Sequence, residues 1–257
     1  PNVSYSVLNK TKEITYEAEP LQAAKLSNEP LAKLYNGFVK AGFGNYTGEK
    51  HTGVQLAGFG NFATEVEGAQ VSGFVNVAGK VKGLQLGVVN ICDSMDGFPI
   101  GVISVVAQNG YSVLEASVSE NLVSTVSLKM GVREFYNIYS FGFQPLSNGY
   151  RYGGGIGFGS RIDLSNSFAV ELEAQNWHFN TGGSFFEYYD ELQQFKMLMN
   201  WRLAKHFTLF AGPTVNLLET NNTDSNLMNL HAPWSYSVQR SKYAVHFWPG
   251  VTFGFKI

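Results

Sequence analysis

Large apolar side chains alternate with small or polar ones at the C-terminal end of the chain. In residues 247–257 the odd positions carry Phe, Pro, Val, Phe, Phe and Ile, whereas the even positions carry Trp, Gly, Thr, Gly and Lys. A period of two residues places successive side chains on opposite faces of a β-strand. The pattern therefore predicts a strand with one apolar face and one small or polar face.

The same alternation recurs along most of the chain. It predicts strands near 12–18, 35–46, 111–118, 123–131, 134–143, 150–162, 167–177, 191–203, 206–218 and 243–257. Eleven residues at about 3.3 Å each can cross the hydrocarbon core of a membrane when the strand is tilted. The apolar faces carry Phe, Trp and Met, and the polar faces carry charges and glycines. This polarity predicts an all-β fold, an antiparallel transmembrane β-barrel, with a large soluble barrel or sandwich as the alternative.

The connections between the predicted strands alternate in length. Residues 178–190 and 219–242 form long connections, whereas 164–166 and 204–205 form short ones, as in bacterial outer-membrane barrels. The long connections carry aromatic residues that are candidates for contact with a partner protein: Phe185, Phe186, Tyr188, Tyr189, Trp234 and Tyr236. Tyrosines and tryptophans near strand ends, including Trp177 and Tyr243, are typical of an interfacial girdle.

Residues 53–92 contain an internal repeat with a period of 15 residues. The copies read GVQLAGFGNFATEVE, GAQVSGFVNVAGKVK and GLQLGVVNICDSM, and a degenerate fourth copy extends the region to 53–107. Gln55, Gln70 and Gln85 correspond between copies, and so do Asn61, Asn76 and Asn90. Each copy fits either one strand of the barrel wall or one coil of a short β-solenoid with Gln and Asn ladders. The two alternatives predict fourteen and ten barrel strands, respectively.

Composition narrows the class of protein. Charged residues make up 15% of the chain and aromatic residues 14%, which excludes a disordered chain. Lys and Arg (18) do not outnumber Asp and Glu (20), so we expect no nucleic-acid partner bound by bulk charge. A single cysteine, Cys92, excludes an internal disulfide framework. The chain begins at Pro1 without a signal peptide, so we expect that a signal was removed or that the sequence is truncated.

Several segments together resemble a known family. The copies GVQLAGFGNFA and GAQVSGFVNVA, followed by GVREFYNIYSFGF and LFAGPTVNLLET, resemble bacterial surface repeat-containing outer-membrane proteins of the Bacteroidetes type. The resemblance covers about residues 35–257, with 1–34 as an N-terminal segment and connector. It implies a β-barrel located in the bacterial outer membrane, with lipid as a partner, but it implies no biochemical activity and no functional residues.

The sequence offers little enzymatic chemistry. None of the five histidines has the spacing of a metal site, and we expect no catalytic residue, cofactor or metal. His178, with Ser184 as the nearest serine, is the one candidate for a membrane lipid hydrolase. The segment GYRYGGGIGFG lacks the Lys-Ser/Thr of a phosphate loop. Its alternate glycines are predicted to leave room inside a barrel for bulky side chains on the neighbouring strand.

Charged residues on the predicted inner faces form the main polar set. They are Arg151, Arg161, Asp163, Glu171, Glu173, Lys196 and Arg202. Neighbouring strands are predicted to place Arg151 and Arg161 beside Glu171 and Glu173. The set fits either a salt-bridge network that plugs the barrel or a lining that selects charged solutes. The sequence therefore predicts a non-enzymatic barrel with a structural or partner-binding role, or alternatively a passive pore or solute-uptake channel; it predicts no oligomeric state.

Overall fold

The structure, a computed structural model, has β-strands as the only regular secondary structure in the residues that it describes. These are residues 3–9, 12–18, 35–120, 124–146, 149–181, 190–221, 236–239 and 243–257. They form seventeen strands, which confirms the predicted all-β class. This described part of the chain contains no helix long and apolar enough to cross a membrane. The chain divides into two units, Pro1–Tyr111 with Met130–Phe135, and Ser112–Lys129 with Tyr136–Ile257.

The first unit contains one eight-stranded sheet. Its strands are β1 (Val3–Asn9), β2 (Lys12–Ala18), β3 (Tyr35–Ala41), β4 (Gly44–Ala57), β5 (Gly60–Ser72), β6 (Val75–Leu86), β7 (Val89–Ile100) and β8 (Ile103–Val106). β1 pairs antiparallel with both β2 and β3, whereas every neighbouring pair from β3 to β8 is parallel. Residues 19–34 of the predicted N-terminal connector lie outside the described residues.

The parallel strands form stacked coils. Only two residues separate β4 from β5, so parallel pairing requires the chain to turn within each coil and stack on the preceding one. The register places Gln70 beside both Gln55 and Gln85, and Asn76 beside both Asn61 and Asn90. The repeat is therefore a short β-solenoid and not barrel wall, which decides between the two predicted alternatives.

One corner of each coil requires glycine. Gly53, Gly68 and Gly83 have φ values of 126°, 137° and 131°, which L-residues with a Cβ rarely adopt. A Cβ on Gly68 would also lie 2.1 Å from the carbonyl oxygen of Gly53 in the preceding coil. The recurring glycine therefore permits both the corner and the close stacking of successive coils.

The second unit contains a closed antiparallel barrel. Its strands are β9 (Tyr111–Ser119), β10 (Ser124–Gly131), β11 (Tyr136–Leu146), β12 (Gly149–Asp163), β13 (Phe168–Thr181), β14 (Asp190–Ala204), β15 (Phe207–Thr220), β16 (Tyr236–Gln239) and β17 (Ala244–Lys256). Strands β9 to β15 are neighbours in sequence order, and β17 pairs with both β15 and β9 to close a ring of eight. β16 pairs with the first part of β17 outside the ring.

The closed ring has eight strands, fewer than the predicted ten to fourteen. The difference arises because the repeat strands and the strands before them belong to the sheet of the first unit. An eight-stranded barrel is just wide enough for its own side chains to fill.

The barrel has the polarity predicted from the alternation. Along β14, Gln194, Lys196 and Asn200 are buried, whereas Phe195 and Met197 between them are exposed. Large apolar side chains are exposed on the outside of the barrel, and we call them the outer belt. They include Phe141, Ile156, Phe158, Ile162, Phe168, Leu172, Met199, Trp201, Val215, Val251, Phe253 and Phe255. The barrel is thus apolar outside and carries most of its polar side chains inside, the reverse of the usual distribution in a protein that folds in water.

Candidate functional site: the barrel lumen

Five charged side chains from four strands meet inside the barrel. They are Glu115 on β9, Lys129 on β10, Glu171 and Glu173 on β13, and Lys256 on β17, and all are buried. The Lys129 ammonium contacts the carboxylates of Glu115 and Glu173 and lies 3.3 Å from Glu171. The Lys256 ammonium contacts Glu171 and lies 3.6 Å from Glu115. Each carboxylate therefore has a lysine partner.

Further polar groups extend this ion cluster. The Arg161 guanidinium donates to Glu171 at 3.0 Å through Nη1 and to Asp163 at 2.8 Å through Nε. The Tyr136 hydroxyl donates to Glu173 at 3.0 Å. Because isolated charges are costly to bury, this dense pairing is what allows the charged lumen to exist.

The three carboxylates of Glu115, Glu171 and Glu173 form the one group in the described residues whose spacing could hold a metal ion, with ligand atoms within 4.8 Å of one another. Two ammonium groups, those of Lys129 and Lys256, already contact these carboxylates. The chain itself therefore supplies the cations, and we interpret the cluster as an ion-pair network.

An apolar cluster fills another level of the lumen. It consists of Trp177, Phe179, Leu192, Leu218 and Trp248. The rings of Trp177 and Phe179 have centroids 6.0 Å apart, and Trp177 Nε1 donates to Gln175 Oε1 at 3.0 Å. The prediction that Trp177 lies in an outer girdle is wrong. Its odd position on β13 places it on the same inner face as Glu171 and Glu173.

Glycines on β12 make room for these large side chains. A Cβ on Gly155 would lie 2.6 Å from the Trp177 ring, and one on Gly159 would lie 2.6 Å from the Tyr136 ring. A Cβ on Gly153 would lie 2.5 Å from the Phe179 ring. The predicted role of the alternate glycines is confirmed.

The lumen is filled at the level of the ion cluster. Lys129 and Glu171 have 0% of their surface accessible to water, whereas a water-filled channel would expose the side chains that line it. A cavity of about 10 Å³ lies beside Lys196, Gln194 and Thr252. This volume is about that needed for a single water molecule. This cavity therefore offers space for water of hydration but not for a solute.

The seven predicted lumenal residues occupy different surroundings. Arg151, Arg161, Glu171, Glu173 and Lys196 are buried, whereas Asp163 is exposed and Arg202 half-buried. The predicted contact of Arg161 with Glu171 is present. The register places Arg151 opposite Thr181, whereas it places Arg161 opposite Glu171. Arg151 Nη1 donates to Gln144 at 3.2 Å, and the Arg151 guanidinium lies 5.9 Å from the Phe179 ring centroid.

Sequence reasoning missed three members of the ion cluster. Glu115, Lys129 and Lys256 lie on strands that the alternation predicted, but no prediction singled them out. The signal was available, since Lys129 and Ser127 alternate with the exposed Val126 and Leu128.

Most of the residues predicted to contact a partner protein lie outside the described part of the chain. Phe185, Phe186, Tyr188, Tyr189 and Trp234 are outside the described residues, as is Ser184. Tyr236 begins β16 and is 70% exposed. His178 is half-buried on β13, at the position between the inward-facing Trp177 and Phe179.

Comparisons with protein-family models, curated proteins and solved structures found no match to this chain. The resemblance to surface repeat-containing outer-membrane proteins and the outer-membrane location therefore stay predictions.

Proposed function

We propose that the chain is an integral outer-membrane protein whose barrel is a sealed, non-enzymatic structural element that presents its loops to a partner. The observation that carries the proposal is the reversed polarity of the barrel. Side chains such as Phe158, Leu172 and Phe253 are exposed on the outside, whereas lysines and glutamates are paired within.

A hydrocarbon environment accounts for this distribution energetically. Exposed apolar area costs about 25 cal/mol per Å² in water, so a continuous belt of large apolar side chains is unfavourable there and favourable in lipid. A closed ring of strands also pairs its backbone amide and carbonyl groups within the wall, as a hydrocarbon environment demands. Both features support lipid as the first partner of the barrel.

The filled lumen favours the structural role over the pore. A pore or uptake channel needs a continuous aqueous path, but the ion cluster and the cluster around Trp177 and Trp248 occupy the lumen at two levels. Paired charges of both signs provide rigid cross-links between β9, β10, β13 and β17. We propose that these cross-links stiffen a membrane anchor, and that a protein partner binds the connections predicted at 178–190 and 219–242.

Site-specific labelling in vesicles tests the membrane location. Leu172→Cys and Val251→Cys on the outer belt, in a Cys92→Ala background, would carry an environment-sensitive fluorophore. Nitroxide groups on the lipid acyl chains are expected to quench both labels. Ser167→Cys, in the exposed short connection between β12 and β13, is the matched control and should respond to an aqueous quencher instead. Equal aqueous quenching at all three positions would contradict the proposal.

A further inference from the structure

The solenoid coils of the first unit are divided into two arcs of different chemistry. Residues 53–62, 68–77, 83–91 and 97–105 contain no charged side chain, and we name them the uncharged arc. The intervening residues 63–67, 78–82 and 92–96, the charged arc, each contain two. Because the coils stack in register, each arc forms a continuous strip along the solenoid.

The uncharged arc has its apolar residues outside and its polar residues inside. Exposed on it are Phe59, Phe62, Phe74, Leu86, Val88, Ile91, Phe98, Ile100, Val102 and Ile103. Behind them are the fully buried amides of Asn61, Gln70, Asn76, Gln85 and Asn90. Phe59 lies in a row of stacked rings, with centroids 5.0 Å from Phe43 and 5.2 Å from Phe74. This arc is inverted relative to a surface that faces water.

The charged arc has the opposite arrangement. Its interior is the apolar cluster of Val66, Ala78, Val81, Cys92 and Met95. On its outside, Glu67 and Glu65 pair with Lys50 of the preceding coil, at 2.5 Å and 3.4 Å respectively. The register places Lys82 between Glu67 and Asp96 on the neighbouring coils. One coil thus combines an ordinary water-facing arc with an inverted one, which indicates two different surrounding media.

Successive coils bond to one another along the uncharged arc, and the last strand, β8, pairs in this sheet with β7 alone. The Nδ2 groups of Asn45, Asn61, Asn76 and Asn90 donate to the carbonyl oxygens of Leu56, Val71, Leu86 and Ile100, each at 2.9 Å. At the corners, the amide of Phe59 donates to the Phe43 carbonyl at 2.7 Å, and the amide of Phe74 donates to the Phe59 carbonyl at 3.0 Å. Internal satisfaction of backbone groups is the condition for contact with hydrocarbon, where no water can replace these bonds.

We propose that the uncharged arc is immersed in the acyl-chain region of a lipid bilayer, while the charged arc faces water or headgroups. The position of the charges along each coil matches the boundary between the acyl chains and the aqueous phase. Lys40 occupies the position equivalent to Leu56 on the preceding coil and marks where the uncharged arc ends.

Lipid fits the uncharged arc better than a second protein surface does. A protein interface typically carries about one hydrogen bond per 100–200 Å² and a polar rim. The arc turns its amide side chains inward, where they bond one another, as in the 2.9 Å contact from Asn76 Nδ2 to Asn90 Oδ1. The inference concerns the membrane of the proposed function, but it rests on the first unit alone.

Depth-dependent quenching of the full-length chain in vesicles tests the inference. In the Cys92→Ala background, Val88→Cys and Val102→Cys place a fluorophore on the uncharged arc. The matched exposed controls are Asp93→Cys, on the charged arc, and Gln108→Cys, whose backbone amide donates to the Asp93 carbonyl. Acyl-chain nitroxides are expected to quench the Val88 and Val102 labels several-fold more strongly than the other two. An aqueous quencher should show the reverse order.

A label at Val251→Cys separates this inference from the proposed function. If Val251 is quenched by acyl chains while Val88 and Val102 respond to the aqueous quencher, the inference is overturned and the barrel proposal stands. Protection of Val88 and Val102 from both quenchers would also overturn it, in favour of a second copy or a partner protein. If Val88 and Val102 are quenched by acyl chains and Val251 is not, the inference stands and the barrel proposal fails.

Discussion

At the scale of single residues, the lumen depends on pairs of very small and very large side chains. Gly155 faces Trp177, and Gly159 faces Tyr136, at distances that leave no space for a Cβ. Both glycines are on the inner face of β12, whereas Gly154 is on the outer face with nothing within 4 Å of its added Cβ. The same residue type therefore has a packing role at one position and none at the next.

We expect Gly155→Ala to destabilise the barrel by about 1–3 kcal/mol, because the new methyl group overpacks against the Trp177 ring. Gly154→Ala, the matched control one residue away, should change the free energy of unfolding by less than about 0.5 kcal/mol. Urea unfolding of the refolded protein, followed by tryptophan fluorescence, measures both. Equal effects of the two substitutions would refute the assigned packing.

His51 is a second residue with a testable role. It is fully buried in the position that Val66 occupies on the next coil, and burial lowers the pKa of its imidazole from the ordinary 6.5. The folded state therefore favours the neutral ring, and the unfolded state binds more protons below pH 6.5. Stability contributed by the neutral ring is complete above that pH and is lost as the pH falls through it.

We expect His51→Val to make the first unit less sensitive to acid than the wild type between pH 7.5 and pH 5. Hydrogen exchange of peptides from β4 and β5, corrected for the intrinsic pH dependence, gives the comparison. The prediction fails if the wild type and the variant lose protection in parallel over this range.

The alternation of odd and even positions along each strand predicted which side chains face the barrel interior. Trp177, which was assigned to the outside, and Lys129, which was not singled out, are the exceptions, and both have a physical reason. Trp177 was predicted for an outer girdle from its residue type, although its parity with Glu171 already placed it inside. The alternation of residues 126–129 indicates an inner face for Lys129, but it does not show which strands meet across a closed ring, so the contact of Lys129 with Glu173 could not be predicted. β10 and β13 are not neighbours in the sheet, so their side chains meet only because the sheet closes into a ring. A local sequence pattern does not show this closure.

At the scale of elements, the solenoid is organised by two polar ladders. Asn76 Nδ2 donates to both the Leu86 carbonyl and Asn90 Oδ1 at 2.9 Å, and its own oxygen accepts from Asn61 at 2.9 Å. Gln70 likewise connects Gln55 and Gln85 at 2.8 and 2.9 Å. The ladders connect successive coils because equivalent side chains meet at every step of the stack.

We expect Asn76→Leu to destabilise the first unit by about 2–3 kcal/mol, because it removes the bonds that Asn76 makes with Asn61 Nδ2, Asn90 Oδ1 and the Leu86 carbonyl. Gln108→Leu, at an exposed position of the same unit, is the control and should have little effect. Hydrogen exchange in β5, β6 and β7 reports the loss of protection. If both substitutions leave exchange unchanged, the ladder contributes no net stability.

The ladders were predicted only as one of two alternatives. A period of 15 residues with internal alternation suits a membrane strand and a solenoid coil equally well at the level of sequence. The two alternatives are distinguished by the parallel pairing of the strands, which brings Gln55, Gln70 and Gln85 side by side. This pairing is known only from the structure. The division of each coil into a charged and an uncharged arc became visible only once this register was known.

At the scale of the whole molecule, both units expose apolar side chains and bury polar ones. The barrel turns apolar side chains outward around a lumen of paired charges, and the uncharged arc of the solenoid turns them outward around buried amides. The number of barrel strands was overestimated because local patterns do not distinguish membership of a ring from membership of a stack. Strand positions and face polarity are local properties, whereas ring closure depends on the pairing of β17 with β9.

The central claim is that the barrel is a membrane wall with a sealed lumen, and planar-bilayer conductance tests it most directly. Wild-type protein would be fused into the bilayer from vesicles prepared in the same way as those in which the Val251 label verifies insertion, with gramicidin added at the end as a positive control. We predict that the inserted wild-type protein produces no stepwise openings, because the ion cluster and the cluster around Trp177 occupy the lumen. Steady, reproducible conductance steps from the wild type would contradict the account and restore the pore as its function.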